Sequence, residues 1–189
     1  MKRSVVFLLA MSSVLPSSRL VAQSIPNATS TATVTPNPAD VASVDAIIAA
    51  LYDANTNMVD QKRDADRFRS LFVPGGRLMP TSRPPNGKAM ISVQTVDDYV
   101  GRAMASPRRH GFSEREFTRT TEAFGNIMQI FSTYETHVDS ADMHPHRGIN
   151  SIQLFTDGAR WWIVGVLWDN ERPDKLIPPE FLKPRPMHQ

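Results

Sequence analysis

Five histidines, two strand carboxylates and one strand tyrosine are the groups whose types can move a proton. The histidines are His110, His137, His144, His146 and His188; the others are Glu116, Glu135 and Tyr134. Acid–base chemistry needs a base within hydrogen-bond reach of the proton and a donor opposite it. Tyr134 can donate, so a base must come from elsewhere. His144-Pro145-His146, with Asp142 nearby, offers two imidazoles to a metal. Zinc and copper sites need three or four ligands held in order, so this segment reads as a polar hairpin loop. No metal site and no cofactor are expected. With no cysteine in 189 residues, disulfides, thiolate zinc sites, iron–sulfur clusters and a cysteine nucleophile are excluded. No glycine-rich phosphate loop, serine nucleophile elbow or zincin helix occurs. Arg108-Arg109, before His110, reads as a solvated turn.

The chain opens Met1-Lys2-Arg3-Ser4 and continues Val5-Val6-Phe7-Leu8-Leu9-Ala10-Met11. A basic start, a short apolar run and a small-residue exit are the parts of a secretory signal peptide. The run is short of the roughly 20 residues that span a bilayer. The expected arrangement is a signal peptide over 1–22, cut after Ala22, and a flexible Ser/Thr/Pro linker over 23–39. A domain over 40–172 and a Pro-rich tail over 173–189 follow. An uncleaved anchor is the alternative to cleavage. The expected location is secreted or periplasmic, with no membrane span in the mature protein. Removing Lys2, Arg3 and Arg19 from 21 basic residues leaves 18 against 19 acids, a formal −1. That balance argues against a nucleic-acid partner. Hydrophobic residues make up 41 %, enough for one domain with a true core.

Three helices must come first. Asp40 is the expected cap of a helix carrying Val41, Val44, Ile47, Ile48, Leu51 and Tyr52 on one stripe. Asp64 is the expected cap of a second, with Phe68, Leu71 and Phe72 facing in, stopped by Pro74-Gly75-Gly76. Arg77–Met79 and Met90–Val93 read as short strands. Thr95 is the expected cap of a third helix, with Val96, Tyr99, Val100, Ala103 and Met104, ended by Pro107. After Gly111 the period changes to two. Residues 112–124 and 127–138 alternate about Gly125-Asn126, and 149–155 and 160–168 about Asp157-Gly158, a strong hairpin signal. Each helix has one stripe to bury, so the helices must cover one face of a curved sheet. The expected fold is α+β: a cone-shaped antiparallel sheet of four long strands plus short ones, under three amino-terminal helices, a cystatin-like α+β roll.

Pairing outward from Gly125-Asn126 puts Phe117, Arg119, Thr121, Ala123, Met128, Ile130, Ser132 and Tyr134 on one face. Glu114, Glu116, Glu122, Phe131 and Glu135 fall on the other. The face with the carboxylates is expected to be the outer one, which leaves no acid inside. The second hairpin divides into Asn150, Ile152, Leu154, Trp161, Ile163, Gly165 and Leu167 against Phe155, Trp162, Val164, Val166 and Trp168.

Four pieces of sequence resemble the nuclear transport factor 2-like superfamily, in its SnoaL-like branch. They are Arg63-Asp64-Ala65-Asp66-Arg67-Phe68, Leu71-Phe72-Val73-Pro74-Gly75, Phe124-Gly125-Asn126-Ile127-Met128 and Asp157-Gly158-Ala159-Arg160-Trp161-Trp162-Ile163-Val164. The resemblance covers about residues 41–170. It implies that Trp161 and Ile163 point into the cone, so that Arg119, Ser132, Tyr134 and Asn150 share the inner wall. With Trp161 and Tyr99 these are the candidate ligand-binding residues; no catalytic residue is assigned. Arg119 suits a carboxylate, since its fork bonds both oxygens. The alternative is a structural pair with a helix acid such as Asp60, Asp64 or Asp98. The superfamily includes isomerases, dehydratases and cyclases as well as members without known activity, so the resemblance names no reaction. It implies a small-molecule ligand, apolar or anionic, in the cone. It also implies a homodimer through an apolar outer face of Phe131, Phe155, Trp162, Val164, Val166 and Trp168, unless Phe181 and Leu182 of the tail cover that face. The alternatives are a small cofactor-independent isomerase, dehydratase or cyclase, and an interaction module with a filled cone.

Overall fold

A computed structural model describes residues 34–57, 61–84, 87–104, 110–140 and 145–183. The expected signal segment, most of the linker, and Asp60, Pro107, Arg108, Arg109, Asp142, His144 and His188 lie outside those residues.

The first expected helix is two. Asn37 caps α1 (Pro38–Val41) by accepting from Ala39 N at 3.1 Å. Ser43 caps α2 (Val44–Asn55) by accepting from Ala46 N at 3.1 Å. Asp40 is not the cap. Its carboxylate takes both arms of Arg67, at 2.7 and 3.0 Å, which fastens α1 to the next helix. That helix, α3 (Ala65–Ser70), starts at Asp64, which accepts from Arg67 N at 3.0 Å. A single turn at Leu71 leads into β1 (Phe72–Ser82). Pro74-Gly75-Gly76 therefore does not end a helix. It makes an irregularity inside a strand, where Gly75 takes a φ of 83° and the register shifts between Phe72 and Arg77. Two short strands follow, β2 (Met90–Ile91) and β3 (Gln94–Thr95). Thr95 and Asp98 form a reciprocal capping box on α4 (Val96–Tyr99), which runs on into a π-helical turn over Val100–Met104.

The four long strands are β4 (Phe112–Phe124), β5 (Ile127–Val138), β6 (His146–Thr156) and β7 (Trp161–Asn170). His146 opens β6 opposite Thr136, so it is not in a loop. The sheet order is β2-β1-β7-β6-β5-β4, with β3 also beside β1. The β1–β7 pair is parallel. The sheet is therefore mixed, not purely antiparallel; it curves without closing. Its concave side meets Ile47, Ile48 and Leu51 of α2 and Phe68 of α3, against Ile130, Ile152, Leu154 and Ile163 of the strands, all buried. Each such side chain gains about 1.5–3 kcal/mol from leaving water. Among the described residues no helix is long and apolar enough to cross a membrane.

Two bulges alter the expected faces. In β4, Thr118 opposes Thr133 and Glu116 opposes Tyr134, so Phe117 is the extra residue. From there toward residue 112 the parity is reversed: Glu116 and Glu114 turn to the concave side, and Phe117 is 48 % exposed. The expectation of an acid-free inner wall fails for this reason. In β7, Ile163 opposes Leu154 and Gly165 opposes Gln153, so Val164 is extra. Val166 and Trp168 then face Ile152 and Asn150 on the inside, and Gly165 and Leu167 turn outward. The outer face thus loses two of its six expected apolar members. The tail lies on part of it: the Phe181 ring stands 5.8 Å from that of Phe131, and its carbonyl accepts from Thr133 Oγ1 at 2.6 Å. Ile177 of the tail is buried. At the hairpin ends Phe124 and Ile127 remain exposed.

Candidate functional site

A pocket of about 100 Å³ opens beside the polar end of the concave wall. Leu51, Phe68, Leu78, Phe112, Val166 and Trp168 supply its apolar walls. Asn55, Arg63, Tyr99, Glu114, Tyr134 and Asn150 supply its polar ones. Each is placed by the element that carries it. Asn55 is the last residue of α2, and Arg63 precedes the Asp64 cap of α3. Tyr99 ends α4 and stacks on Phe68 at 5.4 Å between ring centroids. Glu114 enters through the Phe117 bulge, and Trp168 through the Val164 bulge.

The charges are tied into the wall. Arg63 is buried, donating to Asn55 Oδ1 at 3.1 Å and to the Ala103 carbonyl at 3.0 Å, with its guanidinium 5.1 Å from the Phe112 ring centroid. Glu114 accepts from Asn55 Nδ2 at 3.3 Å. Asn55 therefore bridges the cation and the anion with the two ends of one amide. Tyr134 donates to Asn170 Oδ1 at 2.6 Å, and Tyr99 to Asn55 Oδ1 at 3.3 Å. Burial, then the negative charge of Glu114, pushes the Tyr134 hydroxyl well above its usual range. It stays neutral through physiological pH.

Of the six expected ligand-binding residues, Tyr99, Tyr134 and Asn150 come together on this pocket. Ser132, Arg119 and Trp161 are not among its walls. Ser132 is fully buried, donating to Glu116 Oε1 at 2.6 Å, with its Oγ 2.7 Å from Tyr52 Oη. Arg119 is an ion-pair residue, bonded to Asp45 of α2 at 2.7 Å and to Glu116 at 3.2 Å. Its partner is a helix acid, Asp45, and not Asp64 or Asp98, while Asp60 lies outside the described residues. Trp161 packs partly buried on the core, opposite Thr156 at the other end of the wall. Glu135 stays on the outer side, where it meets Arg115 at 2.9 Å and His137 at 3.6 Å. His110 binds the Asp139 carbonyl at 3.1 Å, and no histidine lines this pocket. Among the described residues no group of three metal-ligating side chains gathers.

Arg63, Glu114 and Asn55 were missed as site residues. Arg63 was visible only as a residue before a cap, and Asn55 only as a polar residue at a helix end. Glu114 was assigned outward because strict alternation has no place for an extra residue.

No protein-family model matches the chain, and no curated protein matches it. Solved structures do. A ketosteroid isomerase-like protein from Parabacteroides distasonis is 12 % identical, with 76 % of this chain and 99 % of that one covered and a TM-score of 0.47. A protein of unknown function with a cystatin-like fold from Nostoc punctiforme is 11 % identical, with 68 % and 89 % covered and a TM-score of 0.46. A nuclear transport factor 2-like protein of unknown function from Shewanella baltica is 12 % identical, with 67 % and 90 % covered and a TM-score of 0.42. Likeness at such identity concerns fold and says nothing of a reaction.

Proposed function

We propose that the protein binds a small, mostly apolar molecule in the pocket of its cone. One observation carries this reading: an open cavity of about 100 Å³ whose walls are half apolar and half hydrogen-bonding, including Glu114 and the buried Arg63. Small-molecule sites combine apolar walls with a few fixed polar groups in this way. The anionic alternative loses its original support, since Arg119 is engaged by Asp45 and Glu116 away from the pocket. Export of the protein rests on the amino-terminal apolar run. Self-association through the outer face rests on apolar side chains left exposed, Phe124, Ile127 and Val164 among them.

A second reading is a cofactor-independent isomerase or dehydratase. Its support is the Phe117 bulge, which brings a carboxylate into the same pocket as two phenols. In that reading Glu114 is the base.

Native mass spectrometry of the purified full chain tests the first reading. The expected result is a retained small molecule that a pocket-filling Val166→Phe variant no longer carries. Equal retention by that variant would place the ligand elsewhere. For the second reading, Glu114→Gln should abolish any proton exchange on the retained molecule and leave it bound.

A further inference from the structure

Behind the pocket runs a chain of hydrogen bonds whose direction can be worked out from proton counts. Ser132 has one hydroxyl proton, and it goes to Glu116 Oε1 at 2.6 Å. The contact between Ser132 Oγ and Tyr52 Oη, at 2.7 Å, must then use the Tyr52 proton. With its own proton committed, Tyr52 Oη can only accept, and Asn150 Nδ2 donates to it at 3.0 Å. Arg119 holds the far end by bonding Glu116 Oε2 at 3.2 Å and Asp45 at 2.7 Å. The polarity is therefore set by a carboxylate and passed along two hydroxyls to one amide.

That amide is Asn150, which lines the pocket. Its NH₂ is turned to Tyr52, so its carbonyl Oδ1 is the end left over. Among the described residues no side chain is recorded as donating to that oxygen, and it is not sealed inside the protein. Two of the other pocket groups share its sign, while Arg63 and Asn55 supply donors to the same walls. Tyr134 gives its proton to Asn170, and Glu114 is an acceptor.

We infer that the pocket selects ligands that donate a hydrogen bond, a hydroxyl or amine on a small ring, with Asn150 Oδ1 as the acceptor and Glu116, Ser132 and Tyr52 as positioning residues. The inference rests on the binding reading above and names its ligand class. At Asn150 it disfavours a ring whose polar group only accepts, such as an aldehyde. It also bears on the isomerase reading, since an enolate needs donors aimed at its oxygen. A site built to accept rejects an isostere without the donor, because its buried acceptor is then left unpaired.

The test titrates ¹⁵N-labelled full-length protein with phenol, toluene and benzaldehyde, following backbone shifts and the Asn150 side-chain NH₂ signal. Phenol should bind at least about tenfold more tightly than the other two. In Glu116→Gln the chain can reverse, so phenol and benzaldehyde should come within about threefold of each other. Tyr52→Phe, which frees the Asn150 amide to turn, should do the same and serves if Glu116→Gln does not fold. Benzaldehyde binding as well as phenol in the parent protein overturns the donor preference but leaves the pocket reading standing. Discrimination that survives in the folded variants overturns the positioning role. Failure of all three probes to bind overturns the pocket reading and this inference with it.

Discussion

The concave wall has two ends built on different principles. Toward the hairpin turns, Ile130, Ile152, Leu154 and Ile163 are buried without a polar neighbour among them, and helices α2 and α3 close on them completely. Toward the other end, Ser132, Glu116, Tyr52 and Asn150 are hydrogen-bonded to one another, and a pocket lies beside them. The apolar end can be filled by any chain that fits. The polar end must keep its partners in register, so its geometry is held by bonds rather than by packing density. The bulges at Phe117 and Val164 decide which residues of β4 and β7 this wall receives. A sheet can thus use one extra residue per strand to change what its inner face presents.

The largest expected effect is at the apolar end. Ile152→Ala should lower unfolding free energy by about 2–5 kcal/mol in a urea titration, with little change in the pocket shifts. A smaller effect at the polar end separates the two by pH. Burial raises the hydroxyl pKa of Tyr52, as it does that of Tyr134. Below the unfolded value of about 10 this contribution is fully present. Above it the unfolded chain releases protons that the folded one retains, so stability falls as pH rises. Tyr52→Phe should make that alkaline slope shallower by about 1.4 kcal/mol per pH unit. A parallel decline would mean that Tyr52 already titrates in the folded state. The smallest effect is expected from deleting Phe117. The bulge is lost, Glu116 keeps its place opposite Tyr134, and stability should stay within about 1 kcal/mol. Loss of pocket binding in that deletion would show that the bulge does more than set parity.

The elements themselves were legible. The switch of period at Gly111, the Gly125-Asn126 and Asp157-Gly158 turns and the caps at Asp64 and Thr95 all lie in local sequence. So was part of the pocket, because Tyr134 and Asn150 stand on strand segments where alternation holds. What failed was long-range. Nothing in Glu114-Arg115-Glu116-Phe117-Thr118 marks Phe117 as extra; only pairing with β5 decides it. Asp40 looks like a cap until Arg67, far along the chain, claims it. Arg119 looked like a ligand hook until Asp45 was placed across from it.

The parallel pairing of β1 with β7 has a bearing on how the chain acquires its shape. Strands β4 to β7 each meet the strand next in sequence, and such hairpins close short loops. β1 must instead wait for Ile163, its partner at Phe72. During synthesis the early helices and β1 emerge long before the strand they dock on, with Ile47, Ile48 and Phe68 left in water. Loop closure over that span is paid for late, so the amino-terminal half should be the last part to gain protection from proteases and the first exposed to a holding chaperone.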